Sequence, residues 1–259
     1  MDWNKAKNLI IFLLVLVNVF LLGNMAYLAY KKEAASRTAV TELTAYLASR
    51  GITLDEDTVP RENPGRTVLV LEYEEKLNTA AARVLLEDSA LSAGENGVYS
   101  NGAGEISLKP GGYVEARLAG EMDEKEFLRL LAKSGINLRD TGETADTVQF
   151  QAVFEELPVF NCTVTADRDE QGWNLLGRIC MGNALRTDSG EERDIEGLLV
   201  GVTQRLVLRG TTQIYQIEAG WVAGSISNVG LRLTPVYKLT TDSDDFYINA
   251  VDGTLLSIE

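Results

Sequence analysis

Residues 9–30 form a run of 22 residues with no charged side chain, interrupted only by Asn18, Gly23 and Asn24. An apolar helix of about 20 residues matches the hydrocarbon thickness of a bilayer. The run therefore predicts a transmembrane helix over 9–30, with a short tail (1–8) before it and a folded body after it. A cleavable signal sequence is the competing reading. Its apolar core usually runs about 7–15 residues and ends in a small-x-small site. Here the run is longer, and Ala26-Tyr27-Leu28-Ala29-Tyr30 puts bulky residues where the peptidase needs small ones. The expectation is an uncleaved anchor, with Trp3, Tyr27 and Tyr30 near the two interfaces, where amphipathic rings are favoured. Lys5 and Lys7 precede the run; Lys31, Lys32 and Arg37 follow it. The positive-inside count is thus close to a tie and does not orient the helix.

The body tells more by what it lacks. Residues 34–259 carry 20 basic against 36 acidic side chains, a formal charge of −16. Nucleic-acid binding needs a basic face, so that class of partner is excluded. An acidic body is also repelled by an anionic membrane surface. Solubility accounts for the charge, as does complementarity to a basic partner. The chain contains no histidine. Ser-His-Asp and Cys-His machinery is therefore unavailable, as are the usual catalytic zinc sites. A non-enzymatic role is expected, with no cofactor and no metal.

Periodicity divides the body into helices and strands. Val40, Leu43 and Leu47 share one face of a helix over 34–50, stopped by Gly51. Asp123 and Glu126 make a capping box for a second helix, with Met122 and Phe127 as its hydrophobic staple and Gly135 as its stop. Residues 47–54 and 131–138 share Leu, Ala, Gly, Ile and Leu at a constant offset of 84. This predicts two related α+β modules with antiparallel sheets, 34–120 and 121–259. Within the first, 68–73 alternates as a strand, Asn78 caps a helix over 80–86, and strands follow at 97–99, 105–108 and 113–118. Asn101-Gly102 and Pro110-Gly111-Gly112 punctuate them. Within the second, strands at 147–154, 159–166 and 173–181 precede a helix over 191–208, capped by Ser189 and Glu192. Strands at 212–222, 230–239, 246–250 and 254–258 complete it.

Cys162 and Cys180 flank the polar turn 167–172 at similar distances. A cross-strand disulfide and a pair of small buried apolar residues fit that placement equally well. Asp167 to Gly172 imitates the first half of a calcium loop, but Arg178 occupies the twelfth position, where a bidentate Glu belongs. A hairpin turn is expected there, and a solvated turn at Asp242-Ser243-Asp244-Asp245. Asn161-Cys162-Thr163 fits a glycosylation sequon, a match common by chance. Asn18 is a polar side chain in an apolar span. It either bonds across to another helix, worth about 0.6–2 kcal/mol, or bonds its own backbone.

The opening Met1-Asp2-Trp3-Asn4-Lys5-Ala6-Lys7-Asn8, running into Ile10-Ile11-Phe12-Leu13-Leu14 and Val17-Asn18, resembles the YycI (WalI) family. Leu233-Thr234-Pro235-Val236-Tyr237-Lys238 and Phe246-Tyr247-Ile248-Asn249-Ala250-Val251-Asp252-Gly253 are similar to that family's ending. The resemblance implies an accessory protein of Gram-positive bacteria, single-pass in the cell membrane, with a cytoplasmic N-terminus and an extracellular body. It implies pairing with a YycH-like protein and control of the WalK (YycG) sensor histidine kinase of the WalK/WalR (YycG/YycF) two-component system, which governs cell-wall metabolism. The transmembrane helix would be the contacting part, with Asn18, Leu14, Leu21 and Met25 as candidate contact residues. Two alternatives stand beside this. The closing strands are similar to PepSY-type domains, which implies an extracytoplasmic binding module for a peptidase or a cell-wall ligand. A wall-modifying enzyme would need two facing carboxylates about 5–9.5 Å apart.

Overall fold

The computed structural model describes residues 3–60, 63–65, 67–92, 94, 97–143, 147–189, 194–226 and 230–257. The protein is α+β, with a mixed, mostly antiparallel sheet and an apolar N-terminal helix. That helix, α1 (Trp3–Ser49), runs 47 residues without a break. The two helices expected at 9–30 and 34–50 are therefore one. The join Lys31-Lys32-Glu33-Ala34-Ala35 contains no Gly or Pro, and all its residues are good helix formers. The segment Ile11–Leu28 is apolar and long enough to cross a membrane, and none of it is covered by the rest of the protein. A single membrane anchor and a signal sequence share that length and composition. Only the C-terminal turns of α1 enter the body, through the buried Leu43 and Leu47.

Three further helices follow: α2 (Glu75–Leu85), α3 (Glu124–Lys133) and α4 (Ile195–Leu208). The capping box of α3 is formed as expected. Glu126 N–H donates to Asp123 Oδ1 at 2.8 Å, and Asp123 N–H donates back to Glu126 Oε2 at 3.2 Å. Asn78 does not cap α2. The helix starts earlier, because Glu75-Lys76-Leu77 already favour it, and Asn78 is buried in its interior. Helix α4 begins at Ile195 with Asp194 at its N-cap, so Ser189 does not cap it: Ser189 is the last residue of the strand 184–189, paired with Thr67, and Glu192 lies outside the described residues.

The strands are β1 (Thr53–Leu54), β2 (Thr67–Glu72), β3 (Val98–Asn101), β4 (Gly104–Leu108), β5 (Tyr113–Ala119), β6 (Leu138–Glu143) and β7 (Val148–Phe154). After them come β8 (Leu157–Asp169), β9 (Gly172–Arg178), β10 (Ala184–Ser189), β11 (Gln213–Ile226), β12 (Gly230–Thr241), β13 (Asp245–Asn249) and β14 (Leu255–Leu256). Among the described residues they join in the order β10-β2-β12-β11-β8-β9-β5-β4-β3, with β1, β6, β7, β13 and β14 at the margins. Two pairings, β1 with β11 and β8 with β11, are parallel. The long strand β8 is the hinge of the arrangement. Its first half lies beside β11, and its second half pairs with β9. Strands from both sides of residue 120 interleave: β2 sits between β10 and β12, and β5 pairs with β9.

Each part of the sheet is closed by helices. On the β3–β9 part, Leu85 of α2 and Phe127 and Leu131 of α3 pack on Leu118, Phe150 and Trp173. The Phe127 and Trp173 rings stack at 4.5 Å, and Trp173 Nε1 donates to the Met122 carbonyl at 3.1 Å. On the β11–β13 part, Leu43 and Leu47 of α1 join Leu198, Val202 and Leu206 of α4 over Ile217, Leu239 and Ile248. A third cluster holds Leu69, Leu71, Val159, Trp221, Leu233 and both cysteines.

The C-terminal motif is now visible as a unit. Leu233 to Lys238 lie in β12 and Phe246 to Asn249 in β13, paired Leu239 to Phe246 and Tyr237 to Ile248. Pro235 sits where β2 has left β12, after Leu233, and β13 has not yet begun, at Val236. A residue without an N–H is tolerated at such a gap.

Candidate functional site

Two surfaces are candidate sites. The first is the free face of α1. Leu14, Asn18, Leu21 and Met25 recur every three or four residues, which sets them on one stripe of the helix. All four are exposed. Asn18 Nδ2 donates to the Leu14 carbonyl at 2.9 Å. The side chain thus bonds its own backbone through its amide nitrogen.

The second surface is an open cleft of about 550 Å³ on the sheet, where β5, β9 and β8 meet the end of β11. Its construction starts from Lys109-Pro110-Gly111-Gly112-Tyr113. The Gly112 carbonyl accepts from Ile179 N–H at 2.8 Å, and a Cβ at Gly112 would lie 2.2 Å from the Ile179 carbonyl oxygen. Only glycine lets this turn press so closely on the strand end. Lys109 and Arg178 both line the cleft. The Arg178 guanidinium is fixed on three sides. Its Nε donates to the Gly111 carbonyl at 2.9 Å, its Nη2 to Ser225 Oγ at 3.0 Å, and it lies 5.6 Å from the centre of the Tyr113 ring. Among the described residues no carboxylate pairs with Arg178 or Lys109. Glu115 and Leu176, opposite each other in the β5–β9 ladder, extend the cleft along the strands, and Thr163 closes it from β8.

Asn161 forms part of the same wall. Its Nδ2 donates to the Ala223 carbonyl and its Oδ1 accepts from Ala223 N–H, both at 2.8 Å. The side-chain amide replaces a ladder rung between β8 and β11. Both polar ends are occupied, so the sequon at Asn161 is a structural strut. Behind the Lys109 turn lies a smaller cavity of about 30 Å³ lined by Asn78, whose buried Nδ2 has no acceptor.

Cys162 and Cys180 come together as their spacing from the turn predicts. They are free thiols, both buried, with sulfur atoms 3.7 Å apart; a bonded pair would lie at about 2.05 Å. Cys180 Sγ–H donates to Cys162. That hydrogen bond lowers the Cys162 thiol below its ordinary value, and together with burial it raises Cys180. The turn 167–172 is the expected hairpin. Asp169 Oδ1 accepts from Gln171 N–H at 2.7 Å and Gly172 N–H at 3.0 Å, and Asn174 Nδ2 bridges to Asp167 and Asp169. The turn at Asp242 carries a load that the sequence did not show. Asp242 accepts from Thr212 N–H at 3.0 Å, from Gln213 N–H at 3.1 Å and from the Thr212 hydroxyl, which fixes the start of β11.

Sequence reasoning missed the cleft. In the sequence Arg178 stands only where a calcium loop needs its Glu, and Pro110-Gly111-Gly112 marks only a turn. The available signal was a Lys and a Tyr flanking a turn too glycine-rich for an ordinary hairpin.

No protein-family model matches the sequence, and no curated protein matches it. Solved structures show distant similarity. A crystal structure of an uncharacterized protein from Eubacterium rectale shares 12% identity over 75% of this chain and 86% of that one, with a TM-score of 0.38. The C-terminal domain of YpeB from Bacillus megaterium shares 10% identity over 73% of this chain and 98% of that one, with a TM-score of 0.33. Similarity at this level carries no argument about activity.

Proposed function

We propose that the protein is a membrane-anchored accessory regulator of the WalK/WalR (YycG/YycF) two-component system. Its transmembrane helix contacts the sensor histidine kinase WalK, and its body pairs with a YycH-like protein outside the cell. The resemblance of both chain ends to the YycI family supplies the identity of the partners. One observation carries the mechanism. An uncovered apolar span and a core-packed segment, Leu43 to Leu47, belong to a single unbroken helix. A rotation or shift of the span therefore reaches the body as a rigid movement. Regulation follows if the span packs better against one signalling state of the kinase than against the other, since only differential contact shifts a population.

Replacing residues 9–30 with an unrelated apolar helix tests this. Kinase autophosphorylation is measured in vesicles holding the kinase and the full chain. The expected result is unchanged insertion with regulation lost. Full regulation by the swapped chain would move the function to the body. At finer grain, Asn18→Leu would remove the hydrogen bond that this reading assigns between Asn18 and the kinase helix, worth about 1 kcal/mol. That corresponds to a change of about fivefold in a two-state equilibrium.

A further inference from the structure

We propose that the cleft formed by β5, β8, β9 and the Lys109 turn binds a short zwitterionic peptide, its carboxylate held by Arg178 and Lys109 and its ammonium by Glu115. The inference is independent of the regulator reading, because it rests on the body alone. Four observations support it.

Arg178 is built into place. Two of its five N–H donors are spent on Gly111 and Ser225, the guanidinium carbon lies over the Tyr113 ring, and the side chain lines the cleft. A fixed, half-buried guanidinium suits bidentate carboxylate recognition, because little freedom is lost when the ligand arrives. Lys109 adds a second cation in the same recess of a chain whose net charge is −14. No acid among the described residues forms an ion pair with either one; Glu115, the acid that shares the cleft, lies one diagonal step away in the ladder.

The negative end is equally placed. Arg178 stands opposite Tyr113 in the ladder, and Glu115 stands opposite Leu176. Arg178 and Glu115 are thus diagonal neighbours across the β5–β9 ladder, about 7–8 Å apart at the backbone, a span comparable to that of an extended dipeptide. Between them, Tyr113 and Leu176 are 55% and 61% exposed. Such rings and aliphatic chains in a recess lined by a few convergent polar groups define an ordinary small-ligand site. The volume of about 550 Å³ accommodates a ligand of that size.

The test uses the full chain in nanodiscs and three probes: leucyl-alanine, its N-acetyl form and its C-terminal amide. Amide chemical shifts are followed at Leu176, Gly177 and Arg178. The expected result is saturable shifts with the zwitterion and binding weaker by about tenfold or more for each blocked form, since each loses a charge-assisted contact. Glu115→Gln should weaken leucyl-alanine but leave the N-acetyl form unaffected, an outcome that a merely structural role would not produce. Lys109→Gln, on an exposed turn, should weaken the zwitterion and leave the C-terminal amide unchanged. Arg178→Gln should abolish binding; should that variant not fold, the Glu115 and Lys109 variants decide alone. Equal affinity for all three probes, or no shifts at millimolar ligand, overturns the proposal.

Discussion

At the scale of single residues, the informative side chains are those whose polar atoms are fully engaged. Asp242 is fully exposed, yet its carboxyl is held below the ordinary carboxylate range by the Thr212 hydroxyl first and by the Gln213 N–H next. Its folded value lies below its unfolded one. The stability it contributes is therefore present above about pH 4 and is lost as pH falls through the folded value. Asp242→Asn should lower the thermal midpoint at neutral pH, and the gap from the parent chain should close in acid. A gap that is the same at both ends of the pH range would show that the ionised carboxylate is not what holds β11. The cysteines make a second case. Burial of both thiols predicts that a water-soluble alkylating reagent leaves the folded chain untouched and modifies two thiols per chain once it is unfolded. Mass spectrometry reads this directly, and an unmodified unfolded chain would reveal a disulfide instead.

At the scale of elements, helix termination is the recurrent device. Gly51, Gly135 and Gly210 have φ of +82°, +89° and +82°. In each case the residue after the glycine donates back to a buried leucine carbonyl: Ile52 to Leu47, Ile136 to Leu131 and Thr211 to Leu206. These are Schellman stops, in which the left-handed glycine lets the chain reverse onto the last turn. Gly135→Ala should cost about 1 kcal/mol or more, because an alanine Cβ is strained at that φ. Asp123→Ala, at the other end of α3, should cost about 1 kcal/mol through the lost cap. Thermal unfolding followed by circular dichroism measures both. The same geometry explains what the sequence could and could not disclose. The similarity of 47–54 to 131–138 was legible because both are stops of one kind. The third stop, Leu206-Val207-Leu208-Arg209-Gly210-Thr211, performs the same turn keeping only the first Leu and the Gly of the shared letters. The strands then diverge: β1 runs parallel to β11, whereas β6 runs antiparallel to β7. Local capping and alternation were readable because they depend on near neighbours. The placement of β2 beside β10 and β12 was not, because it depends on partners more than 100 residues away. The cleft was hidden for the same reason, since Arg178 gains its meaning only from Gly111 and Ser225.

At the scale of the whole molecule, α1 divides sharply into a part that the body needs and a part that it does not. Residues 11–28 touch nothing else in the protein, whereas Leu43 and Leu47 are 3% and 0% exposed and close the core over α4. A chain of residues 34–259 should therefore fold with the stability of the full protein, because all three apolar clusters remain intact. A chain of residues 51–259 loses both leucines, and truncating even one buried leucine costs about 2–5 kcal/mol. Denaturant unfolding of the two fragments should give nearly the full midpoint for the longer one and a much lower midpoint, or no cooperative transition, for the shorter. Equal midpoints would mean that the end of α1 is only laid against the body, and the rigid connection to the membrane segment would fail with it. The expected difference has a functional consequence. If the body folds without the span, any loss of kinase control on swapping residues 9–30 reports contact made by that helix and not a damaged fold. One unbroken helix thus joins the uncovered stripe at Asn18 to the leucine-packed end in the core.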